Sequence, residues 1–215
     1  MMSFKGLISQ YSPQQKPILP VIVINDLEHA VPLAQALVDG GIHFLEITLR
    51  TEHGLEAIKL IKQEVPDACV GAGTVTNERQ FEQCLDMGAE FLISPGITKA
   101  MAHYAEDSPV PYVPGIATAS EAMLAMEHGI TEVKFFPAEQ AGGVPMLNAL
   151  AAPFPELSFC PTGGINANNA GNYLSLAAVM AVGGSWVCPN ALIQQGQWAE
   201  ITRLSQQAMT GLAPQ

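Results

Sequence analysis

Lys134 stands out by its company. In "EVKFFPAEQ" (132–140) it lies between a valine and two phenylalanines, in a chain with only nine lysines and arginines among 215 residues. A buried ammonium is costly unless it is paired or gives up its proton. An unprotonated amine attacks carbonyl carbon, and apolar surroundings favour the neutral form. Glu46 in "HFLEITLR" is a second charged residue set among apolar ones. Two plainer readings compete. One is an edge-strand lysine whose stem packs on apolar surface while its head reaches water; the other is a buried Glu–Lys or Glu–Arg pair that fixes strand register.

The elements that must position these residues follow from short apolar runs at a regular interval. They are "ILPVIVI" from Ile18, "HFLEITLR" from His43, "ACVGAGT" from Ala68, "EFLIS" from Glu90, "PVPYVPG" from Pro109, "TEVKFFP" from Thr131, "LSFCPTG" from Leu157 and "AAVMAVGG" from Ala177. Helix-like stretches such as 27–41 and 77–90 lie between them. Asn77 is placed to cap a helix, Gly40, Gly88 and Gly129 fall where C-terminal glycines belong, and Pro32 falls near a helix start. Eight strand–helix units, repeating about every 19 to 26 residues, predict an α/β fold: a single (β/α)8 TIM barrel spanning 1–215. The segment before Ile18 is expected to form a short helix capping the bottom of that barrel.

Alternation then sorts side chains into two faces. Phe44, Glu46, Thr48 and Arg50 oppose Leu45, Ile47 and Leu49; Glu132, Lys134 and Phe136 oppose Val133 and Phe135; Ser158, Cys160 and Thr162 oppose Leu157 and Phe159. The third run adds Val70, Ala72 and Thr74 on one parity. The apolar parity suits packing under helices, so the polar parity is expected to point inward. Lys134, Glu46, Arg50, Thr74 and Thr162 then converge near the C-terminal strand ends, where barrel active sites lie. A closed barrel has no edge for Lys134 to occupy. The register pair remains open, although several inward polar groups would make an expensive core.

Two glycine-rich turns, "PTGGINANN" (161–169) and "VGGSWVCPN" (182–190), follow the last two strands. Loops in those places often hold a phosphate through backbone N–H groups, and Ser185 could add a hydroxyl donor. The competing reading is tight turns alone. "GAGTVT" (71–76) imitates a dinucleotide fingerprint but has Thr76 at its third glycine position, and is discounted.

Composition excludes several classes. The net charge of −11 argues against a nucleic-acid face and against attraction to an anionic membrane. Cys69, Cys84, Cys160 and Cys188 form no C-x-x-C pair and read as reduced, buried thiols. The five histidines are scattered, with no metal-ligand spacing, so no metal is expected. No secretory signal or run of ~20 apolar residues is evident, which points to the cytoplasm.

Together "EITLRT" (46–51), "GAGTV" (71–75), "SPG" (94–96), "PGIAT" (114–118), "KFFPAE" (134–139), "PTGGI" (161–165) and "GGSW" (183–186) resemble, in pattern and order, the 2-keto-3-deoxy-6-phosphogluconate aldolase / 4-hydroxy-2-oxoglutarate aldolase family. The resemblance runs from about Pro17 to the last helix. It implies a homotrimeric barrel and a class I aldolase of the Entner–Doudoroff route, with a covalent imine on lysine and no metal or other cofactor. Carried over by position, it implies Lys134 as the Schiff-base lysine, Glu46 as general acid/base, and Arg50 and Thr74 as the pyruvate-binding pair. Phe136 would line the pocket, Thr162 would set substrate preference, and Gly163, Gly164, Gly184 and Ser185 would cradle the phosphate. The implied partners are a phosphorylated 2-keto-3-deoxy sugar acid and pyruvate. Gln140 departs from the pattern outside these positions.

The sister aldolase acting on the phosphogalactonate epimer is the nearest alternative; it usually has an aliphatic residue in place of Thr162 and lacks "TLRT". A phosphosugar isomerase or epimerase would suit the turns, but its metal-dependent form needs strand-end histidine and aspartate ligands. A non-catalytic phosphosugar-binding barrel would leave the inward Lys134 and Glu46 without a purpose.

Overall fold

Helices follow the strands, and α-helices after three of them open on a capping side chain: Asn77, Thr98 and Thr118. In the computed structural model, which describes residues 3–211, the strands are β1 (Ile18–Ile22), β2 (Phe44–Thr48), β3 (Cys69–Gly73), β4 (Leu92–Ile93), β5 (Tyr112–Val113), β6 (Gly115–Ile116), β7 (Glu132–Phe135), β8 (Ser158–Pro161) and β9 (Val182–Gly184). The helices are α1 (Phe4–Tyr11), α2 (Ala30–Asp39), α3 (Gly54–Glu64), α4 (Glu78–Asp86), α5 (Lys99–Ala105), α6 (Ala119–Glu127), α7 (Gly143–Ala151), α8 (Ala170–Leu174), α9 (Asn190–Gln194) and α10 (Trp198–Gly211). The ends of the expected 1–215 domain, residues 1–2 and 212–215, lie outside the described residues.

All strand pairs are parallel, in the orders β5-β4-β3-β2-β1-β9 and β6-β7-β8. The expected fifth strand is divided at Pro114, which has no N–H to give to a ladder. The long run from Ala177 is strand only at Val182–Gly184; Val179 and Gly183 bridge singly to Phe159 and Thr162. The result is an α/β fold with a curled parallel sheet.

Two apolar clusters separate the faces. Leu45, Ile47, Val133, Phe135, Leu157 and Phe159 pack with the helices, while Phe4, Leu19, Phe44, Cys69, Phe91, Cys160 and Ala181 form an inner cluster. Alternation is therefore as expected in β2, β7 and β8. The third strand differs: Val70 and Ala72 pack with the helices, and Cys69 belongs to the inner cluster. The segment before Ile18 does form a helix. Phe4 meets Phe44 and Phe91 edge-on, with ring centroids 5.8 and 5.2 Å apart. The Glu132 carboxylate accepts the Phe4 and Lys5 N–H groups at 2.7 and 2.8 Å, satisfying two donors of the first helical turn.

Helix ends follow local chemistry. The Asn77 side chain accepts the Gln80 N–H at 2.9 Å, and Thr118 forms a capping box with Glu121. Gly88 and Gly129 adopt the expected left-handed conformation, with φ of 85° and 71°. Gly40 does not. The left-handed residue is Gly41 (φ 87°), and Gly40 is required because a Cβ there would collide with the Ser205 side chain on α10.

Gly40→Ala should therefore destabilise the chain by about 1–3 kcal/mol, the usual cost of overpacking. Gly171→Ala in α8, where a Cβ meets nothing within 4 Å, should instead stabilise by about 0.4–1 kcal/mol through the unfolded chain. Urea unfolding of both variants checks the contrast; equal effects would disprove the close approach of α2 and α10.

Candidate active site

β7 lies between β6 and β8, with Lys134 paired to Gly115 on one side and Cys160 on the other. The edge-strand reading is thereby excluded. Lys134 Nζ reaches across the interior to Glu46 Oε1 at 3.1 Å, and the two side chains are only 4% and 1% exposed. Nζ also lies 5.3 Å from the centre of the Phe136 ring, within cation–π range. The second carboxylate oxygen, Glu46 Oε2, is buried with no hydrogen-bond partner. A pair kept only for register would be expected to satisfy that acceptor, since an orphaned charged oxygen costs about 1–3 kcal/mol or more. The unused lone pairs suit a donor that arrives from outside.

Glu46 fits because β3 is bare on its inner face. A Cβ on Gly73 would fall inside contact distance of the Glu46 carboxylate, and one on Gly71 would strike the Phe91 ring. These glycines do more than the discounted fingerprint reading allowed. They alternate with Val70 and Ala72, on the parity that Cys69 opens. Thr74 meets Arg50 by a different route from the expected one. Regular alternation would send it outward with Val70 and Ala72, but its φ of 61° breaks the strand geometry. In that conformation its hydroxyl accepts from Arg50 Nε at 3.2 Å. A left-handed threonine is strained, and such strain clusters at functional positions.

Thr162 is buried, and its hydroxyl donates to the Cys160 carbonyl at 3.4 Å. Gly183 must be glycine because a Cβ would collide with Thr162 Oγ1. The expected phosphate glycines also have packing reasons of their own. Gly163 and Gly164 have φ of 103° and 78°; a Cβ on Gly164 would come 2.7 Å from the Glu139 Cβ and Cγ, and one on Gly184 would enter the Trp186 ring. Ser185 is exposed and shares a cavity of about 270 Å³ with Arg50, Asn25, Cys188 and Asn190.

Glu139 was quoted in a motif but given no role. Its backbone N–H donates to the Gly163 carbonyl at 3.1 Å, the Ala138 N–H donates to the Thr162 carbonyl at 2.8 Å, and its carboxylate accepts the Tyr173 hydroxyl. The segment after Lys134 is thus tied to the turn after β8. The four cysteines are free and buried, as expected. Burial pushes the thiols of Cys84, Cys160 and Cys188 up to about 12 and raises that of Cys69 as well, so all are protonated near neutrality. The histidines are less scattered than the sequence suggests, because the fold brings His103 and His128 together at Glu106. Among the described residues no helix is long and apolar enough to cross a membrane.

A family model for KDPG and KHG aldolase matches residues 10–204. This chain belongs to that aldolase family. It is 54% identical over 195 residues to a 2-dehydro-3-deoxy-phosphogluconate aldolase of Dickeya dadantii, covering 91% of this chain and 92% of the relative. A crystal structure of KDPG aldolase from Legionella pneumophila, with pyruvate captured as a covalent carbinolamine, is 46% identical, with a TM-score of 0.88 over 91% of this chain and 95% of that one. The 2-keto-3-deoxy-6-phosphogluconate aldolase of Zymomonas mobilis with 3-phosphoglycerate is 42% identical, with a TM-score of 0.89 over 97% and 96% of the two chains.

The bare inner face of β3 generates a test of the aldolase site. Gly73→Ala should push the Glu46 carboxylate aside and lower aldolase kcat by about 10²-fold, the cost of an ångström-scale misplacement. Circular dichroism should remain that of the wild type. An unchanged kcat in the folded variant would mean that the carboxylate position is immaterial.

Proposed function

We propose that Lys134 forms the covalent imine and Glu46 moves the protons in a class I aldolase that cleaves 2-dehydro-3-deoxy-6-phosphogluconate to pyruvate and glyceraldehyde 3-phosphate. The reading is carried by the buried 3.1 Å contact of Lys134 with a carboxylate whose other oxygen is free. The chain is a carbon–carbon lyase. The carbinolamine named for the Legionella relative supports the imine route. The family's KHG name supports a second activity, cleavage of 4-hydroxy-2-oxoglutarate to pyruvate and glyoxylate.

The neutral Lys134 amine attacks the C2 keto carbon, and a proton from Glu46 lets the carbinolamine hydroxyl leave as water. The protonated imine is an electron sink. Glu46, now a carboxylate, takes the C4 hydroxyl proton; the C3–C4 bond breaks, its electrons enter the C2–C3 bond, and the aldehyde departs. C3 of the enamine recovers a proton from Glu46, and water hydrolyses the imine to pyruvate and free Lys134. Arg50, oriented by Thr74, clamps the planar carboxylate of the substrate through two donors. Phe136 lines the pocket beside the amine, and Thr162 sets the preference between substrates. The imine supplies the electron sink, so the route calls for no metal. The 3-phosphoglycerate named for the Zymomonas relative supports a phosphate subsite at Gly163, Gly164, Gly184 and Ser185.

The curled sheet is read as a closed (β/α)8 barrel forming one domain over 1–215. Two features support this: β5 and β6 are one strand broken at Pro114, and the Phe159–Val179 and Thr162–Gly183 bridges join β8 to the last strand. Phe4 against Phe44 and Phe91 supports α1 as the floor of that barrel. A homotrimer working in the cytoplasm, with no nucleic-acid or membrane partner, completes the reading; the net charge of −11 favours the last point.

Borohydride reduction in the presence of pyruvate should leave a pyruvate-derived mass on Lys134. Glu46→Gln should fold normally and lose about 10²–10⁴-fold in turnover. An adduct on Lys99 or any other lysine would sink the assignment.

The phosphate subsite is better tested at Ser185 than at Gly184, whose glycine is demanded by Trp186. Ser185→Ala should weaken kcat/KM for the phosphorylated substrate by about 1.5–3 kcal/mol, the worth of a hydrogen bond to a charged group. Cleavage of 4-hydroxy-2-oxoglutarate, which has no phosphate, should be unchanged. Equal losses on both substrates would assign the turns to the scaffold alone.

A further inference from the structure

Two histidines meet away from the lysine. His103 lies in the last turn of α5, Glu106 caps the C-terminus of that helix, and His128 caps the C-terminus of α6. The two oxygens of Glu106 serve separate rings: Oε1 is 2.7 Å from His128 Nδ1, and Oε2 is 3.2 Å from His103 Nδ1. One donor atom from each of the three residues lies within 4.8 Å of the others. The sequence separates these residues by 22 positions or more across the two helices, so no motif announces them.

We infer that His103, Glu106 and His128 form a binding site for a borderline divalent cation of the zinc type, with water completing its shell. Two imidazoles and a carboxylate are a donor set that zinc takes readily, whereas calcium and magnesium prefer oxygen alone. A tetrahedral ion with ligand bonds of about 2.0–2.1 Å holds neighbouring donor atoms about 3.3 Å apart. The His103–carboxylate separation of 3.2 Å is already near that value, the 2.7 Å His128–carboxylate separation must lengthen, and the donor atoms, now within 4.8 Å of one another, must draw in around one ion. The rings are tilted, with centroids 6.4 Å apart. His103 is 79% exposed in its side chain and free to swing, while His128 is only 17% exposed and held. On binding, any Nδ1 protons leave for solvent and the cation takes their place between the same groups.

The site would act on the scaffold. The helices ending at Glu106 and His128 lead into the N-terminal ends of β5 and β7, and Lys134 with Phe136 lies towards the C-terminal end of β7. A cation here joins the ends of two successive helices and has no path to the reacting carbons.

Isothermal titration of the full chain with zinc chloride should show one saturable site. His103→Gln and His128→Gln, both at partly open positions, should each weaken it by at least about tenfold, the loss already found for partners one shell further out. Zinc should raise the melting temperature of the wild type and leave that of both variants unmoved, while calcium should shift none of the three. Absence of saturable zinc uptake, or uptake that both variants keep in full, would overturn the inference.

Discussion

The buried contact between Lys134 and Glu46 is the constraint around which the rest of the interior is arranged. Each group alone would be an uncompensated charge in an apolar space, where losing a partner costs about 3–5 kcal/mol. The pair must be held across the sheet from β7 to β2, so the space between has to be empty. Gly73 leaves it empty on one side, and Phe136 closes it over the Lys134 Nζ. A pair of this kind contributes little net stability. What it contributes is an amine and a carboxylate that face each other before any substrate arrives, with the reorganisation already done.

The glycine turns carry two demands at once. Gly164 lies on the Glu139 side chain, Gly184 on the Trp186 ring and Gly183 on the Thr162 hydroxyl, so none of them could accept a larger residue even without a ligand. Through Glu139 and Ala138, the segment after Lys134 shares hydrogen bonds with the turn after β8. The strand bearing Lys134 and the turn after β8 are therefore one mechanical piece, pinned further by Tyr173.

Much of this was legible in the sequence because alternation is a strong signal where both parities carry side chains. β2, β7 and β8 mix charged or polar residues with large apolar ones, and their faces were assigned correctly. β3 was misread because Gly71 and Gly73 on its inner face carry no side chain to set against Val70 and Ala72, and because Thr74 reverses direction through a left-handed backbone that no residue pattern announces. Gly40 does sit at the C-cap of α2, as its place in the sequence suggests, but a glycine can answer a backbone angle or a neighbour, and only the approach of Ser205 shows which. The break at Pro114 was visible in "PVPYVPG" as a residue without a donor. The meeting of His103 with His128 was not, since it depends on how two helices end relative to each other.

The floor of the sheet has a consequence for how the chain is made. The Phe4 and Lys5 N–H groups find their acceptor in Glu132, and the first of these bonds spans 128 residues. The strand β1 likewise waits for β9 as one of its two neighbours. At a synthesis rate of about 5–20 residues per second, the leading helix waits about 6–26 seconds before its anchor has even been made. During that time Phe4 and Leu7, buried in the finished molecule, have no complete surface to cover them. The helix Phe4–Tyr11 is thus made well before the strand that secures it, and the growing chain carries Phe4 and Leu7 incompletely covered while the strands between are synthesised.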